Sequence, residues 1–244
     1  MPASGGFAFA VAAVTACGAA LAQTDIEAID RGVLVPALRL SFDIAPRVEG
    51  PATPHTGHGI EIGFTGATGK DGQSIGPGEA PVIFGGRAFA GPVDLLHEFD
   101  FRYAEIAYRY RHFFGKGQFG IEALGGLGWA ELDFTTSSPL GSAHDKLSTG
   151  GLVAAFGIVW KFLPATSLQS RVTLFGSGKV EGVTGAARLD VHVAHAVARN
   201  IALRGGLVGW GFDSIRAADD DTSSLNSRIS AGFSGLSLGL DVAF

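Results

Sequence analysis

The sequence predicts an all-β chain closed into an antiparallel, membrane-spanning barrel of eight or ten strands. Three observations carry this expectation. Segments of about ten to fifteen residues alternate apolar and polar side chains with a period of two. The gaps between them alternate between short and long, and no apolar run after residue 22 approaches the roughly 18 to 20 residues that a membrane helix requires. The chain has 244 residues, 46% apolar and 17% charged, with 37 glycines, which is too apolar and too charge-poor for a disordered protein. A formal charge of −5 gives no basic surface of the kind that neutralises phosphates, so nucleic acid is excluded as an expected partner.

Residues 1–22 carry no charged side chain, contain the apolar run from Phe7 to Val14 and end in Ala20-Leu21-Ala22, a small-x-small site ahead of Gln23. They read as a signal peptide, although the usual Lys or Arg before the apolar run is missing. Val14-Thr15-Ala16-Cys17 also fits a lipoprotein cleavage box that would acylate Cys17; cleavage after Ala22 instead leaves a chain without cysteine, and so without disulfides or thiol chemistry. The expected organisation is a signal peptide at 1–22, a short N-terminal segment at 23–31 left at the same end of the barrel as the C-terminus, and the barrel at 32–244.

Ten strands are expected, at 32–45, 58–67, 82–90, 97–111, 118–134, 148–162, 168–177, 185–198, 201–213 and 228–244. The clearest is the stretch 151–162, where Leu152, Ala154, Phe156, Ile158, Trp160 and Phe162 share one face and Lys161 lies among small residues on the other. Stretch 118–134 sets Phe119, Ile121, Leu127 and Trp129 against Glu122. The glycine- and proline-rich region 57–91 could instead form a hairpin above eight strands. Turns at 112–117, 163–166 and 199–200 are short, whereas 135–146 and 214–227 read as long polar loops. With both chain ends expected at one end of the barrel, the strand number must be even, which excludes nine. Gly205-Gly206 suggests a bulge, because Trp210 and Phe212 share the outward face of Ile201 and Leu203 only if the register slips by one. With that slip, Trp129, Trp160, Tyr108, Tyr110 and Phe244 complete aromatic girdles.

The last eight residues, Ser237-Leu-Gly-Leu-Asp-Val-Ala-Phe244, resemble the C-terminal insertion signal of Gram-negative outer-membrane proteins, with Ser237, Gly239, Val242 and Phe244 in the set places. The body of the chain resembles the generic outer-membrane β-barrel domain. The resemblance implies location in the outer membrane of a Gram-negative bacterium, assembly by the barrel-insertion machinery, and contact with outer-membrane lipid and lipopolysaccharide; a monomer is expected. A non-enzymatic, envelope-structural or loop-presenting role is expected, with a small-solute channel and an outer-leaflet lipid A-modifying enzyme as alternatives.

Water is absent from the hydrocarbon layer, so polar side chains belong inside the barrel. Glu105, Arg109, Arg111, Glu122, Lys161, Arg171, Arg188, Asp190, His192, Arg204 and Asp241 fall on the inward faces and are expected to pair into a plug, the alternative being a narrow polar conduit. Asp190 and His192 could form an orienting pair, but plug membership is the simpler reading. His195 should face lipid at the end away from the long loops. His144 with Asp145, Ser142 and Ser148 would lie in and beside a flexible loop, where an esterase site lacks a fixed geometry. His55-x-x-His58 and Asp219-Asp220-Asp221 lack companion ligands, so no metal and no cofactor are expected.

Overall fold

The computed structural model describes residues 24–44, 55–85, 87–178, 182–216 and 227–244. The described residues contain no helix, and eleven strands follow one another: β1 (Thr24–Asp43), β2 (Gly57–Ile75), β3 (Val82–Phe84), β4 (Arg87–Phe89), β5 (Val93–Phe114), β6 (Phe119–Ser138), β7 (Gly141–Leu163), β8 (Thr166–Gly176), β9 (Gly182–Ala198), β10 (Ile201–Arg216) and β11 (Ser227–Ala243). Period-two alternation is what lets each long strand line the interior with one set of side chains and the outside with the other. Nine of them close into a barrel in the order β1-β11-β10-β9-β8-β7-β6-β5-β2.

Nine strands correct the expectation of eight or ten, and the reason lies at the seam. β1 runs parallel to β11, from Thr24↔Ser227 to Ser41↔Ala243, while every other wall pair is antiparallel. The barrel is therefore mixed, and the described chain begins at one end and finishes at the other, so the parity rule does not apply. Residues 24–31 are the first part of β1, at the end opposite Phe244, not a segment beside the C-terminus. We call the end holding Phe244 and the tight turns at 115–118, 164–165 and 199–200 the lower end. Gly115 (φ 53°) and Gly117 (φ 76°) make the first of those turns possible, since both occupy the left-handed region.

The expected strand at 82–90 is not in the wall. β3 and β4 pair only with each other and fold over the upper end, where Phe84 meets Phe134 edge-on at 5.3 Å and Arg87 holds the carbonyl oxygens of Leu140 (2.5 Å) and Ser142 (3.4 Å). The stretch 135–146 is likewise not a loop. β6 and β7 pair continuously up to Ser138↔Gly141, leaving a tight turn. No bulge occurs at Gly205-Gly206, where the pairing of β10 with both neighbours is unbroken. Gly206 answers a different need, because a Cβ there would run into the Val191 carbonyl oxygen.

Polarity inverts part-way along the wall. On lower β5, Ile106, Tyr108 and Tyr110 point out while Glu105, Arg109 and Arg111 point in; on upper β5, Glu98 and Arg102 point out while Phe99, Phe101 and Tyr103 point in. β6 changes at the same level, from outward Phe119, Leu127 and Trp129 over inward Glu122 to outward Glu131 and Asp133 over inward Leu132 and Phe134. The upper barrel is built like a water-soluble sheet protein and the lower barrel like its inverse.

Candidate functional site

Among the described residues, the lower interior holds six arginines, Arg39, Arg109, Arg111, Arg171, Arg188 and Arg204, and six carboxylates, Asp43, Glu61, Glu105, Glu122, Asp190 and Asp241. Glu61, 1% exposed, is the hub. It accepts from Arg171 Nη1 at 2.5 Å and lies 3.2 Å from Arg39 Nε and 3.5 Å from Arg109 Nη1. Arg171, from the opposite wall, also reaches Glu122 at 2.7 Å, and Glu122 takes Arg111 at 2.7 Å. Arg109 continues to Asp43 at 2.5 Å. Each buried charge in this chain has a partner of opposite sign, which is the condition for keeping it out of water.

Arg188 grips Asp190 with two contacts, at 2.6 and 2.9 Å. Among the described residues no hydrogen bond or ion pair joins Asp190 to His192, so the orienting dyad is not assembled. Arg204 and Arg39 share Asp241 at 3.8 and 3.9 Å. Glu105 accepts from Tyr103 Oη at 3.0 Å. Lys161 lies near the lower end, its ammonium 4.6 Å from the centre of the Phe113 ring. Arg39, Asp43 and Glu61 were missed in the sequence reading, yet the same alternation displays them: Leu38-Arg39-Leu40-Ser41-Phe42-Asp43 and Ile60-Glu61-Ile62.

The upper interior is aromatic. Phe101 stacks on Phe212 (4.8 Å, 8°) and meets Trp210 edge-on (5.0 Å); Tyr103 packs on Trp210 (4.9 Å) and Phe99 on Phe233 (6.0 Å). Trp210 and Phe212 are thus interior groups, correcting the girdle assignment that needed a slipped register. Such pairs add about 0.5–1.5 kcal/mol each beyond their buried area. Arg188 lies 5.4 Å from the centre of the Trp210 ring and ties the polar layer to the aromatic one.

Outside, Trp160, Phe162, Tyr108, Tyr110, Phe114 and Phe119 cluster toward the lower rim, and Phe244 stacks on Phe42 at 5.1 Å. The terminal residue is stitched into the seam, its N–H donating to Ser41 O at 2.9 Å. Of the C-terminal motif, Ser237 is buried inward and Phe244 points out; outward Leu236 and Leu238 stand in the same file as Val242. His195, outward near the lower end, bonds Thr166 Oγ1 at 2.8 Å.

His144, Ser142 and Ser148 stand together on the outward face of β7, so a strand fixes their geometry after all, and Asp145 lies on the other face. Among the described residues no hydrogen bond joins His144 to Ser142 or Ser148. His144 Nδ1 meets Thr135 Oγ1 at 3.2 Å and Asp133 at 3.3 Å, while Ser148 accepts from Trp129 Nε1 at 2.8 Å. His55 pairs with Asp43 at 3.5 Å, His58 with the Tyr108 hydroxyl, and among the described residues no group of three or more His, Cys, Asp or Glu could hold a metal. Cys17, the signal segment and Asp219-Asp220-Asp221 lie outside the described residues. Comparison with known protein families, curated proteins and solved structures gives no match to this chain.

Proposed function

We propose that this chain is an integral outer-membrane β-barrel, non-enzymatic and non-conducting, that serves the envelope structurally and stands its upper sheet in the external medium. The observation that carries the reading is the inversion of polarity. A belt of outward apolar side chains surrounds the part of the wall whose interior is ionic, an arrangement that is stable in hydrocarbon and unstable in water. On β6 the belt covers eleven residues, ten steps along the strand, from Phe119 to Trp129. At about 3.3 Å per residue and a strand tilt of about 40°, that spans about 25 Å, the height of the apolar band in outer-membrane barrels. The likeness of Ser237 to Phe244 to the insertion signal supports the outer membrane over other membranes, and contact with outer-membrane lipid, lipopolysaccharide and the insertion machinery follows from it.

The paired charges below and the packed aromatics above support a plug over a conduit. Two measurements test the reading. The mature protein should fractionate with outer membranes, resist urea extraction and migrate as a heat-modifiable monomer; recovery in soluble periplasm or the inner membrane refutes it. In planar bilayers it should give no stable unitary conductance, and reproducible currents that shift on Arg109→Gln or Glu122→Gln would establish the channel instead.

A further inference from the structure

The connected charges of the lower interior do not balance. Among the described residues, contacts no longer than 3.9 Å join five arginines (Arg39, Arg109, Arg111, Arg171 and Arg204) to four carboxylates (Asp43, Glu61, Glu122 and Asp241). Arg188 and Asp190 form a pair of their own, and Glu105 is engaged by the Tyr103 hydroxyl. One positive charge is therefore left over, and it falls on Arg204. Its side chain is 3% exposed, its ionic contact is Asp241 at 3.8 Å, and Arg39 shares that carboxylate at 3.9 Å. Arg204 Nε and Nη1 are buried without a hydrogen-bond partner. Water would satisfy those N–H groups but would leave the charge uncompensated.

We propose that Arg204 and His192 hold one small monovalent anion, of the size and charge of chloride, inside the lower barrel. His192 Nε2 is also buried without a partner, and a neutral imidazole protonated there is a donor. The two side chains lie one diagonal step apart on neighbouring strands, because Arg204 pairs with Ala194 and His192 with Gly206. On the other side Arg204 pairs with Gly239, where a Cβ would come within 3.1 Å of both Nε and Nη2. Glycine and alanine thus leave the guanidinium and the imidazole as the polar groups of this recess. The missing charge is one, which selects a monovalent ion, and the small surroundings select a compact one. Asp241 stands on the Nη1 side, so the ion takes the Nε side. With its side chain 16% exposed, Asp241 is also the most open member of the network and marks the way in from the lower mouth. The inference uses only the closed interior and stands apart from the membrane reading.

Urea unfolding of the refolded, full-length mature protein in a halide-free detergent tests this, followed by tryptophan fluorescence. Sodium gluconate is replaced stepwise by sodium chloride at constant ionic strength. The wild-type midpoint should rise with chloride and level off, as binding to the folded state alone requires. Bromide should act as chloride does, whereas sulfate should give no plateau, since its general stabilising effect does not saturate. Arg204→Gln removes the surplus charge, so it should abolish the chloride dependence and unfold in gluconate at a midpoint no lower than wild type. His192→Leu keeps the charge and loses the donor, so several-fold more chloride should be needed to reach the plateau. The proposal is overturned by the absence of a saturable rise in the wild type, by an equal rise in Arg204→Gln, by a clearly lower Arg204→Gln midpoint in gluconate, by sulfate reproducing the plateau, or by a His192→Leu titration identical to wild type.

Discussion

Replacing Glu61 by glutamine removes one charge and almost no volume from the most connected position in the barrel. Three guanidiniums lose their shared partner. Arg171 keeps Glu122 at 2.7 Å and Arg109 keeps Asp43 at 2.5 Å, but Arg39 is left with Asp241 at 3.9 Å. Removing one partner of a buried pair costs about 3–5 kcal/mol, and the two retained contacts place Glu61→Gln toward the lower end of that range. That is still a large share of the 5–15 kcal/mol typical of folded domains. The assay is urea unfolding of the refolded barrel, followed by loss of the heat-modifiable band and by tryptophan fluorescence, with Arg102→Gln as the control because its pairs lie in solvent. The control should leave the midpoint in place while Glu61→Gln lowers it clearly. Equal midpoints for the two variants, or a Glu61→Gln barrel at least as stable as wild type, would refute the ion-pair account of the interior.

Phe244→Asp should impair assembly while export continues, because it removes the stack on Phe42 and puts a carboxylate on the outward face; normal accumulation of heat-modifiable barrel would show the terminal contact to be dispensable. His97 stands above the belt in the upper barrel, bonded to Thr136 (2.9 Å) and Gln73 (3.1 Å), and burial holds its imidazole below the ordinary value, with Asp71 acting weakly the other way. The unfolded chain therefore takes up the proton first as pH falls, so stability present at pH 7.5 declines as pH drops through about 6.5. His97→Gln should flatten that part of the profile, and identical pH profiles for the two proteins would contradict it. Lipid A from cells with and without the protein should give the same mass spectrum; an acyl chain lost from lipid A and restored by His144→Ala would locate an esterase at β7.

The wall was legible wherever alternation is local. β6 and β7 can be read face by face from 118–134 and 148–162, and that alternation also displays the charge on the interior. Reading failed where structure depends on distant partners. The stretch 82–90 has a strand's composition but only eight residues from Val82 to Phe89, enough for a hairpin of two three-residue strands and too few for another crossing. The parallel seam pairs the two ends of the chain, and no local pattern encodes the direction of such a pairing. Trp210 and Phe212 were misplaced for a different reason: parity taken literally puts them inside, and a bulge was invoked to bring tryptophan to the lipid. What parity alone does not reveal is that the upper interior is apolar and receives them.

The parallel seam also fixes how the barrel can be completed. Thr24 and Ser227 are partners, so the joint closes a loop of about 200 residues and can form only when the last strand is available. Until then every partial barrel carries two bare edges, β1 and whichever strand was made most recently, each a template for pairing with another chain. Closure across so long a loop is intrinsically slow. A truncation of either terminus should therefore leave the same defect, an unlatched sheet with its hydrogen-bonding groups exposed, whichever end of the chain is cut.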